Sequence, residues 1–289
     1  MRRGVFPRAR AAQPARRLAE AARWAAIALL VVWVLGPFGW GLLSALTPPE
    51  LLYRSDGLVP PRLTADNFRA VGRDDAFRAT FANSVGIGVL SATLTSAVAC
   101  AAGWGAARFP GRFASASMAG LLVTQLLNGV LVVVPLFVLL ARVGLTNTWT
   151  GLVLSYAGFT VPFCTLLLRS LFANFPAELE HAALIDGCTR LGAFWRVTLP
   201  LSLPGLVAAW LFAFVHAWND LLYALVLSRD LRTMTVAVHI HNLAHTQFAG
   251  TNWSFILAEG VVAVIPAVAA FLYLQRYMVR GLTQGALTG

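Results

Sequence analysis

The 23 residues from Trp24 to Leu46 carry no charge. As a helix rising 1.5 Å per residue, such a run is about 34 Å long, enough to cross a hydrocarbon core of about 30 Å. Comparable apolar runs recur at 81–106, 115–140, 151–168, 201–227 and 254–274. The chain therefore reads as an all-α, polytopic membrane protein with six transmembrane helices. Composition agrees: 12% of the residues are charged and the mean hydropathy is +0.71, whereas soluble domains carry about 25% charged residues. No stretch between the runs is long enough for a separate soluble domain. The first run is too long for a secretory signal, and Ser44-Ala45-Leu46 is a poor cleavage site. It reads as a retained span in which Pro37 is a candidate kink.

Residues 1–23 form a basic tail, seven arginines against Glu20, expected to lack regular structure up to about Pro14. Residues 24–275 are the membrane domain and 276–289 a second tail. The stretch 47–80 holds four prolines and reads as a long loop; 228–253 reads as a polar, histidine-rich loop. The third run is interrupted by Gln125, Asn128, Gly129 and Pro135. With both termini inside, fourteen arginines fall inside and eight outside, five of the eight in the long first loop. Short loops vote more strongly than long ones, so this orientation is expected, with both termini cytoplasmic.

All 22 basic residues are arginine. Without lysine the chain has no Walker A loop and no Schiff-base chemistry. Its net charge of +10 sits at span ends and in the first tail, which fits anionic lipid headgroups rather than nucleic acid. Cys100, Cys164 and Cys188 are far apart, without a metal-binding or disulfide pattern. His239, His241 and His245 have no neighbouring carboxylate or cysteine in sequence and read as an outward loop rather than a metal site. No serine, histidine and acid order suggests hydrolysis.

Between the fourth and fifth runs lies 174–205, which holds Glu178, Glu180, His181, Asp186, Arg190 and Arg196 and so cannot lie in lipid. Pro176 suits a helix start, and Leu179, Ala182, Ala183 and Asp186 share one helical face. Gly187 is placed to stop that helix in a left-handed conformation, and Thr189 to cap a second short helix that ends before Pro200. Two short helices joined at a glycine read as a docking element.

His181-Ala182-Ala183-Leu184-Ile185-Asp186-Gly187, then Phe194 and Leu199-Pro200, resembles the E-A-A loop of binding-protein-dependent ATP-binding-cassette importer permeases. Asn83-Ser84, the run from Ala106 to Arg112, Gly144 to Thr148, Phe214 to Asp220, and the ending from Gln275 also resemble the carbohydrate-type permeases, most closely the maltose-type second subunit. The similarity covers about residues 24–289. One position departs: His181 stands where the family has Glu, with Glu180 adjacent.

The resemblance implies a non-catalytic permease subunit in a prokaryotic cell membrane. It implies a second permease subunit, two ATPase subunits that bind ATP and magnesium, an extracytoplasmic solute-binding protein or lipoprotein, and a sugar cargo. The chain itself holds no cofactor in this reading. The loop would sit in an ATPase groove and move as a lever during alternating access. Glu180, His181, Ala182, Ala183, Asp186, Gly187, Leu199 and Pro200 would couple to the ATPase. Asp186 either pairs with an ATPase arginine or caps the following turn, and Glu180 or a changed partner would offset His181. Asn128, Trp218, Asn219, Asp220 and Glu259 are candidate path residues because polar groups in spans are costly. Each also has a plainer reading as packing, interhelical glue or helix cap. The competing class, a secondary transporter or channel without an ATPase, predicts symmetric repeats and buried charge pairs; neither is visible in the sequence.

Overall fold

The computed structural model describes the backbone of residues 12–52, 60–246 and 252–285, and the side chains of 20–52, 60–245 and 252–275. Every regular element among them is helical. In order these are α1 (Ala12–Ala45), α2 (Pro49–Leu52), α3 (Asp66–Arg73), α4 (Asp75–Arg108), α5 (Arg112–Thr124), α6 (Gly129–Arg142) and α7 (Trp149–Asn174). Then come α8 (Ala177–Ile185), α9 (Arg190–Ala193), a π-helical turn (Phe194–Thr198), α10 (Leu199–Leu201), α11 (Leu203–Asn219), α12 (Leu222–Leu227), α13 (Val236–Thr246) and α14 (Trp253–Gly285). Helices suit lipid, because each satisfies its own backbone polar groups.

Four helical stretches are long and apolar enough to cross a membrane: Glu20–Ala45, Asp75–Arg108, Trp149–Asn174 and Trp253–Gln275. Two bent pairs bring the number to six. α5 and α6 meet at 105°, and the segment Arg190–Leu201 meets α11 at 75°. The third run is thus not one straight rod. It breaks where Asn128 accepts a bond from the Val130 N–H (3.0 Å) and starts α6 as a new helix.

The chain divides into two units. The first holds residues 1–70 and 252–261. In it, the Asn67 amide donates to the carbonyls of Ala45 (2.8 Å) and Thr47 (3.0 Å), tying α3 to the end of α1. The second unit holds 71–251 and 262–289. At its centre α4, α7 and α11 pack together. One cluster joins Ile87, Leu152, Tyr156, Ala217, Ala224 and Leu227. Another joins Ala99, Cys164, Leu168, Phe172, Phe194 and Ala209. Small residues let α4 and α7 approach closely, as membrane helices without a hydrophobic drive require. A Cβ on Gly103 would lie 2.9 Å from the Arg169 backbone nitrogen. The Thr95 and Thr160 hydroxyls bond across the seam at 2.8 Å.

Several boundaries differ from the sequence expectations. α1 begins at Ala12, so half of the basic tail is helical and continuous with the first span; residues 1–11 lie outside the described residues. α14 runs on to Gly285, through most of the expected C-terminal tail. The long first loop contains α3, and the histidine-rich loop contains α13. The fifth run stops at Asn219, because Asp220 turns the chain and caps α12. Pro200 does not end the second short helix. The π-helical turn before it widens the backbone, with the Leu199 N–H bonded to the Phe194 carbonyl, and α10 continues to Leu201. A proline lacks the N–H and crowds the carbonyl four residues back, and a π turn relieves both demands.

Candidate functional site

The polar interruption folds as a bent element. Pro176 precedes α8, whose first turn carries Glu178 and Glu180 at the positive end of the helix. Gly187 has φ +89° and closes α8, and the Cys188 N–H reaches the Ala183 carbonyl at 3.0 Å. Thr189 caps α9 through its hydroxyl, which accepts from the Gly192 N–H at 3.1 Å.

The inward stripe of α8 differs from the expected one. Of Leu179, Ala182, Ala183 and Asp186 only Ala183 is buried; the helix instead turns Glu180, Ala183 and Leu184 toward the protein. The cause is Glu180. Its Oε1 accepts from Thr198 Oγ1 (2.7 Å), Arg108 Nε (2.9 Å) and, at 3.4 Å, Trp104 Nε1. The Glu180 and Arg108 side chains keep only 13% and 14% of their exposure. Arg108 also reaches the Phe175 carbonyl at 3.4 Å. Burial pushes the Glu180 carboxyl up, but hydrogen bonds from Thr198 and Arg108, with the Arg108 charge, outweigh it and hold the carboxyl below its usual range. Around this staple the Trp104 ring lies 4.8 Å from Phe194, and the Arg190 guanidinium lies 5.4 Å over the Phe109 ring. One carboxylate therefore ties α8 to the end of α4 and to the π turn, and the bent element is held as one body.

The other expected coupling residues lie as follows. His181, Ala182, Asp186 and Gly187 are exposed, and Leu199 packs beside the cluster around Phe172 while Pro200 is exposed. The outer surface carries exposed apolar side chains: Ile185 at 87%, Leu191 at 63% and Trp195 at 62%. Asp186 ends α8 and forms no ion pair among the described residues.

The candidate path residues separate. Trp218 is buried, stacked on Phe214 (5.7 Å) and edge-on to Phe81 (5.7 Å), and donates its N–H to the Ala263 carbonyl at 3.1 Å. Asn128 caps α6, and Glu259 is fully buried in α14. Asp220 accepts from Tyr156 Oη (3.0 Å) and from the Tyr223 and Ala224 N–H groups (both 3.1 Å), a helix cap joined to α7. Asn219 and Asp220 also line a cavity of about 600 Å³ with Phe212, Val215 and His216. Phe212, Val215, His216 and Asn219, spaced three and four apart, form one stripe of α11, and Asp220 follows directly after the helix. On α13, the His241 and His245 rings stack at 4.1 Å, while His239 is buried 6.2 Å from Phe77.

Residues 83–284 match the family described as the binding-protein-dependent transport system inner membrane component. The chain belongs to that family. This permease is 37% identical over 274 residues to the trehalose transport system permease protein SugB of Mycobacterium tuberculosis, covering 93% of this chain and 98% of the relative. It is 31% identical over 269 residues to the trehalose/maltose transport system permease protein MalG of Thermococcus litoralis, covering 90% and 94%. A chain of a bacterial ABC transporter that imports the acidic polysaccharide alginate superposes with a TM-score of 0.80, covering 95% of this permease and 99% of that chain, at 18% identity. That likeness shows the fold. The chain is thus the transmembrane permease subunit of an ATP-binding-cassette importer.

The sequence shows the loop and the glycine that ends α8 but hides three partners of Glu180. Arg108 and Trp104 end the second span, and Thr198 lies eighteen residues along. The one signal was the unusual acid beside His181.

Proposed function

We propose that this permease subunit carries a sugar or a related polyhydroxy solute inward by alternating access, powered by separate ATPase subunits. The observation that carries the reading is the bent element of α8, α9 and the π turn. It is stapled from within by Glu180 yet presents Ile185, Leu191 and Trp195 outward, uncovered by any described part of the chain. A rigid body with an unpartnered apolar face suits a lever that a second protein grips. The partners in this reading are a second permease subunit, two ATPase subunits holding ATP and magnesium, and an extracytoplasmic binding protein or lipoprotein. The ATP is hydrolysed by those separate subunits in this reading, since this chain has no lysine for a Walker A loop of its own. The arginine distribution supports an orientation with both termini and the lever on the cytoplasmic side, and the relatives in Mycobacterium tuberculosis and Thermococcus litoralis support a prokaryotic cell membrane.

The sugar class rests on relatives named for trehalose, trehalose/maltose and sulfoquinovosyl glycerol. The α11 stripe supports it from this chain's side. Phe212 offers a ring, and His216, Asn219 and Asp220 offer hydrogen-bonding groups beside a cavity of about 600 Å³, a size that suits small solutes. The test is uptake of labelled trehalose and maltose by proteoliposomes holding the whole assembly and its binding protein. The reading expects uptake that requires ATP inside and binding protein outside. Uptake by this chain alone, driven by an ion gradient, would overturn it.

A further inference from the structure

Two arginines of the lever, Arg190 and Arg196, have no carboxylate partner among the described residues. A cavity of about 180 Å³ opens between the end of α4 and the α8–α9 bend, lined by Trp104, Arg108, Phe109, Glu180, His181 and Arg190, among others. Its carboxylate is already committed, since Glu180 accepts from Arg108, Thr198 and Trp104. Arg190 is different. Its guanidinium rests on the Phe109 ring and forms no ion pair among the described residues. Among the described residues Arg196, on the π turn, reaches the Cys188 sulfur at 3.7 Å and no carboxylate. His181 is exposed at the cavity edge, where it adds two ring nitrogens and no acid. The remaining acids of the lever, Glu178 and Asp186, are exposed and pair with neither arginine.

We propose that this cavity is a socket for an aspartate or glutamate side chain of the ATPase subunit, received between Arg190 and His181. The inference rests on the coupling reading above and adds the sign of the charge that the partner presents. The Phe109 ring lies 5.4 Å from the Arg190 guanidinium, whose side chain is exposed, and a planar fork of that kind takes a carboxylate bidentately. A docked partner would exclude water from the cavity, which strengthens the pair and penalises a partner of the wrong sign. With His181 at the rim, a basic partner side chain would face Arg190 with only Glu180 nearby, and Glu180 already has its cation.

The absence of lysine gives a direct test. Two variants, R190K and H181K, each place a primary amine at the socket of the full permease, co-purified with its ATPase. A carbodiimide then joins that amine to a carboxylate within contact distance, forming an amide and releasing the water equivalent as urea. Peptide mapping is expected to find the installed lysine joined to an aspartate or glutamate of the ATPase. R190E is expected to reduce ATPase retention at least tenfold, and R190K, which keeps the charge but not the fork, to reduce it by less. If the ATPase co-purifies but is joined only through Glu178 or Asp186 to its own lysines, the socket is refuted while the coupling reading stands. If no ATPase co-purifies with the unaltered permease, both fail.

Discussion

Replacing Glu180 with alanine removes the one group that joins α8, the end of α4 and the π turn. The carboxylate accepts at 2.7 Å from Thr198 and 2.9 Å from Arg108, and both charged side chains are nearly buried. Breaking a buried pair from one side costs about 3–5 kcal/mol. Arg108 keeps a little exposure and the Phe175 carbonyl, so the low end applies, about 3 kcal/mol for local opening of α8. At 1.36 kcal/mol per decade that opens α8 roughly 150-fold more often. Hydrogen exchange read by mass spectrometry on peptides covering 177–187 is expected to accelerate by about two orders of magnitude. Peptides covering 152–168 of α7 should hold their rates. Thr198→Val removes one bond to a charged acceptor, about 1.5–3 kcal/mol, and should give a smaller rise of at least tenfold. An α8 that exchanges within a few-fold of the unaltered rate in Glu180→Ala would refute the staple.

Other outcomes follow from the same geometry. Gly187→Ala meets no atom within 4 Å but must hold φ +89°. The cost is about 1–2 kcal/mol of backbone strain, seen as faster exchange in the last turn of α8 and more ATP hydrolysed per solute carried. Gly103→Ala sets a Cβ 2.9 Å from the Arg169 backbone nitrogen. The helices must part, and the unfolding midpoint in detergent should fall by an amount equivalent to about 1–3 kcal/mol, whereas Gly105→Ala, in the same helix with nothing within 4 Å, should hold it or raise it by the equivalent of up to about 1 kcal/mol. Glu180 is held below its ordinary value of 4.5, so its contribution is complete above that pH and is lost as pH falls through the lower folded value. Exchange of α8, corrected for intrinsic rates, should be flat from neutral pH down to about 5 and rise only below the ordinary carboxylate range.

The membrane spans were legible because length and lack of charge leave an apolar run little choice, and the Gly187 stop was legible because a helix end there needs a positive φ. What was hidden depends on partners distant in sequence. A face drawn from apolar spacing through Leu179 and Ala182 was overridden by a carboxylate that found Arg108, seventy-two residues away. Likewise, Trp218 and Asp220 read alike as polar groups in a span. The fold buries the first against Ala263 and spends the second on capping α12. Pro200 looked like a terminator because the π turn that accommodates it has no sequence rule.

The central claim is that the bent element is gripped by an ATPase. A photoreactive residue at Ile185, the most exposed apolar side chain of α8, tests it in membranes of cells producing the whole assembly. A lever gripped in this way gives an adduct with the ATPase subunit whose yield changes between nucleotide-free and ATP-trapped states. Adducts only with the extracytoplasmic binding protein, or labelling of that position by impermeant reagents from outside intact cells, would contradict it.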